Sequence, residues 1–220
     1  MSRPYRGQAA EARSADRRAR LVQAGVDLVG TQGVAAMTMR AVCREAGLSQ
    51  KFFYESFTDT DDLLRAVYRS TFEHSRQVIY TAADPHADLP ARTRAGVRAA
   101  AQLVKDDPRI CRILLVEPIA DLRLRRFVRD AVGAMSGFNA PTDAPDAAAT
   151  ARVKMQYATV FGALISLFIE WTEGNLGSDH DEFVDHVTTM LLSSLLFDNA
   201  VQVTPSTGQP ARTPLISRSS

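Results

Sequence analysis

Residues 49 to 54 read Ser-Gln-Lys-Phe-Phe-Tyr, and they gather the side chains best suited to chemistry in this chain. Gln50 offers an amide, Lys51 an ammonium, Ser49 and Tyr54 hydroxyls, and Phe52 a flat apolar ring. A short way upstream, Thr38 and Arg40 add another hydroxyl and a guanidinium. Groups of this kind reach phosphate oxygens and base edges. None of them is a nucleophile with a base placed beside it. The chemistry is recognition by charge and hydrogen bonding, and the partner it suits is double-stranded DNA.

Catalysis finds no support. The sequence holds no nucleophile elbow, no phosphate loop, no His-Glu-x-x-His and no supported carboxylate pair. His74, His86, His180 and His186 are scattered, and Cys43 and Cys111 fall in different predicted helices without metal-ligand spacing. Neither an enzyme, a metal site nor a cofactor is expected. Cys43 reads as a core residue.

The elements that must hold these groups can be read from periodicity. Leu21, Gly25, Leu28 and Val29 share one helical face, and Gly30 and Gly33 are expected to stop that helix. Thr38 suits the N-cap of the next one, in which Met39, Val42, Cys43 and Ala46 form a buried stripe. Gly47 breaks it, Leu48 turns inward and Ser49 caps a third helix. There Phe53 and Phe57 face the core, which leaves Gln50, Lys51, Phe52 and Tyr54 outside. Two short helices joined by a glycine turn, the second polar on its outer face, make a helix-turn-helix that lays its second helix in the major groove. Asp59-x-x-Asp62 is an N-cap signature for a fourth helix starting near Thr60.

Residues 17–68 resemble the DNA-binding domain of the tetracycline-repressor (TetR) family of bacterial transcription regulators. Gly33, Thr38, Val42, Ala46, Gly47, Leu48, Ser49, Tyr54, Phe57, Leu63 and Leu64 carry the resemblance. It implies that Thr38 and Arg40 touch phosphate and a base edge, that Ser49, Gln50, Lys51 and Phe52 sit deepest in the groove, and that Tyr54 bonds a phosphate. The chain departs from the family in three places. Cys43 stands where Ala is common, and Phe52 where a small residue or Thr is common. Phe52 either packs on a thymine methyl or is a packing variant. Thr60 replaces a lysine that contacts phosphate, which puts that contact in doubt.

Composition sets the frame. The chain has 220 residues, 45% of them hydrophobic, and a net charge of only +1. Distribution matters more than the total. The first twenty residues hold Arg3, Arg6, Arg13, Arg17, Arg18 and Arg20 against Glu11 and Asp16. Residues 1–12 read as a flexible basic arm that either meets DNA or merely solubilises the chain. Arg17 and Arg18 are the better phosphate candidates. No apolar run reaches the roughly 18 residues of a membrane helix and no signal core opens the chain, so a cytoplasmic protein with no membrane partner is expected.

The expected fold is all-α with about nine helices: a helix-turn-helix domain over 13–60, a helical regulatory and dimerisation domain over 61–202, and a disordered tail over 203–220. Helices are predicted at about 61–80, to about 105, from Pro108 until Pro118 limits it, and at about 122–138, 148–173 and 180–200, with a loop over 139–147. The last two carry apolar stripes wider than one packing face requires, including Val160, Leu164 and Phe168 on one and Val187, Leu191 and Leu195 on the other. A partner subunit is the simplest cover for the second face, so these residues are expected at a homodimer interface. The resemblance agrees, since the family pairs its final two helices with their mates.

The resemblance further implies an unidentified small-molecule effector among the middle helices. Phe72, Glu117, Tyr157, Phe161 and Trp171 are the candidate contacts, with Arg76, Leu103, Leu114 and Phe127 nearby, because aromatics plus one anchoring group suit an apolar ligand. The functional expectation is a ligand-responsive repressor that binds a palindromic operator as a dimer. The alternative is a protein of the same fold that acts through a protein partner, in DNA organisation or division control.

Overall fold

A computed structural model describes residues 5–121, 123–125, 147–177 and 179–202, with side chains described from Ala10 onward except at 147–150, 152–154, 157 and 195–202. The described residues are helical, with no strand among them. Helix α1 spans Tyr5–Gln32, and a 3-10 turn at Val34–Ala36 leads to α2, Met39–Ala46. Helix α3 spans Gln50–Ser56 and α4 Thr60–Ala82. After α5, Leu89–Asp106, the short α6, Pro108–Cys111, runs into a π turn at Arg112–Val116 and then α7, Glu117–Ala120. Two long helices follow, α8 at Ala147–Thr172 and α9 at His180–Gln202.

Local chemistry explains the boundaries. Thr38 Oγ1 accepts from the Ala41 N–H at 3.2 Å, which satisfies one of the unpaired donors that open α2. Gly47, left-handed at φ 62°, closes it. Asp59 Oδ1 accepts from Asp62 N–H at 2.7 Å while Asp62 Oδ2 accepts from Thr58 N–H at 3.2 Å, a reciprocal cap for α4. Asp88 caps α5, whose first turn holds Pro90, where the missing N–H does no harm.

Two cores form. The first joins α1 to α4 through Leu21, Leu28, Val29, Val42, Phe53, Phe57, Leu63 and Val67, and it also takes in Ile113 and Leu124. The second joins α5, α6, α8 and α9 through Val97, Ala101, Val104, Ile110, Phe168, Trp171, Phe183, Val184 and Val187. Trp171 stacks on Phe183 at 4.4 Å and Phe168 meets the same ring edge-on at 5.1 Å. Leu114, in the π turn, packs on both cores. The stretch from α6 to α7 is therefore the seam between them.

Three expectations change. Residues 5–12, expected as a flexible arm, are helical, because the run Ala9, Ala10, Glu11, Ala12, Arg13 is made of strong helix formers. Gly30 lies inside α1, which ends two residues later than that glycine would have stopped it. Pro118 does not end its helix. Its ring cannot sit against the Leu114 carbonyl one turn back, so the preceding turn widens to i→i+5 bonding and the helix runs on to Ala120. Most of the helix expected over 122–138, the loop to 146, Phe127 and the tail over 203–220 lie outside the described residues.

Candidate nucleic-acid interface and the cleft behind it

Helix α3 presents its polar face on a rigid base. Phe53 is fully buried and Phe57 nearly so, with their rings 6.0 Å apart. Opposite them, Lys51 is 80% exposed and Tyr54 61% exposed, the largest aromatic projection of this domain. Gln50 and Ser49 are exposed, and Ser49 takes the N-cap geometry without a side-chain capping bond. Arg40 and Thr38 are exposed at the start of α2, although the Thr38 hydroxyl is engaged by its cap. Phe52 is only half exposed: the Arg17 guanidinium lies 4.6 Å over its ring and also pairs with Glu55 at 3.6 Å. Arg18 covers the Phe57 ring at 4.5 Å, and Arg20 donates to the Ala46 carbonyl at 2.6 Å, where α2 leaves its last carbonyls unpaired. Arg17, Arg18 and Arg20 thus lash α1 to α2 and α3.

The other end of α1 docks on the seam. Arg109 pairs with Asp27 and with Asp107, the latter at 2.7 Å. The Arg109 side-chain bond holds the Asp107 carboxyl below the usual carboxylate range. Arg112 donates to the Thr31 carbonyl at 2.9 Å and to Glu117 Oε1 at 3.0 Å. The second Glu117 oxygen accepts from the Val34 N–H at 3.1 Å. Both glycines of α1's end are needed for this approach. A Cβ on Gly30 would lie 2.5 Å from Arg109 Cβ, and one on Gly33, whose φ is 89°, would lie 2.9 Å from Glu117 Oε1. A second tie lies beyond α7. Arg123 bonds Asp121 at 2.6 Å and also Asp61 in the first turn of α4. Tyr68, whose hydroxyl is raised well above its usual range by burial, reaches the Leu114 carbonyl at 3.5 Å.

Behind the seam an apolar cleft of about 700 Å³ opens between the end of α4, α5, α8 and α9. Ile79, Val97, Leu164, Phe168, Val187 and Leu191 supply its walls, and Arg92, Thr81 and Thr93 its polar groups. Tyr80 and Leu89, both strongly exposed, stand at its margin. A space of this size and lining suits an apolar ligand with one polar or anionic end.

Residues 21–67 match the sequence profile of bacterial regulatory proteins of the tetR family. The amino-terminal domain belongs to the TetR family. The whole fold is TetR-like as well. It is similar to the fatty acid degradation regulator FadR from Bacillus halodurans, at 14% identity and a TM-score of 0.60 over 81% of this chain and 96% of that one. It is similar to FadR from Bacillus subtilis in complex with stearoyl-CoA, at 14% identity and 0.60 over 80% and 97%. A TetR family transcription regulator from Marinobacter aquaeolei VT8 aligns at 18% identity and 0.58 over 84% and 97%. No curated protein matches the chain.

Of the sequence-predicted DNA residues, Thr38, Arg40, Ser49, Gln50, Lys51 and Tyr54 are exposed on α2 and α3 or their caps, and Phe52 is half-buried under Arg17. The predicted effector residues do not converge. Phe72 and Phe161 pack at the edge of the first core, Glu117 is committed to the seam, and Trp171 belongs to the second core. The Tyr157 and Leu195 side chains lie outside the described residues. Of the predicted interface, Phe168 and Val187 point into the chain's own core and cleft, which corrects their placement on an outward face. Leu164 and Leu191 line the cleft, and Val160 is half-buried. The cleft residues Ile79 and Arg92 were missed, as were Asp27, Arg109 and Arg112 in the seam. The seam contacts Asp27 with Arg109 and Arg112 with Thr31 join residues distant in sequence, so no local spacing marks them. Burial raises both the Cys43 and Cys111 thiols, which keeps them protonated and inert. Among the described residues no helix is long and apolar enough to cross a membrane, and no cluster could hold a metal ion.

Proposed function

We propose that this chain is a ligand-responsive repressor that binds a palindromic operator as a homodimer. The apolar cleft bounded by α4, α5, α8 and α9 is the observation that carries the ligand-responsive part. Its walls suit a long apolar body, and Arg92 at its margin suits an anionic end. The stearoyl-CoA complex of a fold relative supports the same chemical class. The dimer rests on the outer face of α8, where Ala158, Gly162 and Ser166 are exposed and a Cβ on Gly162 would meet nothing within 4 Å. Small residues there let a second copy approach closely. Two α3 helices would then meet major grooves about 34–36 Å apart or a multiple of that distance.

The test begins with genome-wide mapping of bound sites, followed by titration of stearoyl-CoA and of free stearate against the mapped operator. A palindromic site released about 5–150-fold by one of these ligands fits the proposal. Sites that lack two-fold symmetry, together with operator affinity indifferent to every ligand that raises the melting temperature, would replace it with action through a protein partner.

A further inference from the structure

We propose that Glu117 is a positioning residue for DNA recognition: held by the π turn, it fixes the end of α1 and so sets the angle at which the α3 face is presented. Glu117 touches both sides of the seam. Its Oε1 accepts from Arg112 at 3.0 Å and its Oε2 from the Val34 N–H at 3.1 Å, and its side chain is only 14% exposed. Val34 opens the 3-10 turn between α1 and α2, so this one carboxylate holds the backbone on which the reader hangs.

The π turn is what allows it. In an α-helix of about 3.6 residues per turn, residues five apart point roughly 140° away from each other. Arg112 and Glu117 are five apart, and the Glu117 N–H bonds the Arg112 carbonyl in the i→i+5 pattern. That wider turn brings their side chains back to nearly one side. Were the turn to tighten to α geometry, Glu117 would swing away from Arg112 and from Gly33 together. The pair therefore exists in one state of the turn and not in the other. Leu114, inside the turn, packs on the second core as well as the first. A change in packing at the second core thus has a short physical route to Val34. Gly33 shows how tightly the contact is built, since any Cβ there would displace the carboxylate.

The experiment compares Glu117→Ala and Glu117→Gln with the wild-type full chain by two measurements. The first is amide hydrogen exchange at Val34, read against Phe57 and Val67 in the first core. The second is affinity for operators whose half-site spacing is varied, read against a single half-site. In Glu117→Ala, Val34 should exchange roughly tenfold faster while the core amides keep their protection. The preference for one spacing should flatten while half-site affinity holds. Glu117→Gln retains a carbonyl acceptor for Val34 and should recover most of both effects, a rescue that simple loss of stability would not give. Unchanged Val34 exchange in Glu117→Ala overturns the proposal. So does faster exchange with the spacing preference intact, which would leave Glu117 a structural tie only. The spacing readout rests on the dimeric operator proposed above. If the wild type itself ignores spacing, the dimeric-operator reading fails; unchanged Val34 exchange in Glu117→Ala beside a spacing-sensitive wild type fails Glu117 alone.

Discussion

The two cores of this chain are built to different tolerances. Around α3, the packing is closed: Leu21, Val42, Phe53, Leu63 and Val67 are fully buried, and the arginines of α1 seal the edges. Around α8 and α9 the core is closed at Ala101, Ile110, Phe183 and Val184, while Val97, Phe168 and Val187 also face the cleft. A reader must present a few groups at fixed separations, and close packing supplies that rigidity. The ligand site proposed for the second core must leave room, so apolar side chains on the cleft wall are left short of partners. Phe168 shows the difference at one residue, set edge-on against Phe183 in the core and also lining the cleft wall.

Truncations should break this contrast if it is mistaken. Phe53→Ala empties a sealed site and should destabilise the protein by about 3–5 kcal/mol, seen as a large fall in the urea midpoint. Phe168→Ala extends a space that already exists, so its loss should stay below about 3 kcal/mol. Equal losses in the same titration would mean that the second core is as tightly built as the first.

The DNA face sharpens the contrast from the other direction. Arg40→Ala should weaken operator binding by about 1–3 kcal/mol and relax specificity if Arg40 meets a base, whereas Tyr54→Phe should weaken all sites alike. Competition titrations with cognate and scrambled duplexes distinguish the two. Lys51→Ala should change folding stability by no more than about 0.5 kcal/mol, because the ammonium is exposed, while it lowers the salt dependence of DNA binding by about one phosphate contact. A loss of stability as large as that of Phe53→Ala would mean that the outer face of α3 is not free.

The smallest effect concerns pH at the seam. Arg109 lowers the Asp107 carboxyl, so the unfolded chain takes up that proton more readily than the folded one. The resulting stabilisation is complete above the ordinary value of about 3.9 and is lost as pH falls through the lower folded value. Asp107→Asn should therefore flatten the acid side of the stability curve below about pH 4. Melting temperatures measured from pH 3 to 7 would show it, and an altered slope only at the neutral end would contradict the assignment.

The reader was legible because its logic is local. Thr38, Gly47, Ser49 and the Phe53–Phe57 spacing each act within a few residues, and the structure places every one at its expected cap, turn or face. The seam was hidden because its logic is tertiary. Pro118 announces a disturbance, but not that the turn before it widens. Gly30 reads as a helix stop until Arg109 is seen lying against it. On α8 the apolar residues cover so much of the circumference that periodicity could not choose between inward and outward, and Phe168 was placed on the wrong side.

Helix α1, at 28 residues, is about 42 Å long. The contacts that grip α2 and α3 lie at Arg17 and Arg20, and those that grip the seam lie at Asp27 and Thr31. They are separated by roughly three turns of one continuous rod, about 15 Å. Substitutions at one end can therefore retune how the two halves lean on each other without altering the side chains that face a base, and substitutions at the other can alter sequence preference without disturbing that lean. Under the proposed function, address and response occupy separate stretches of the same helix, which would let a lineage change the genes governed and the signal answered one at a time.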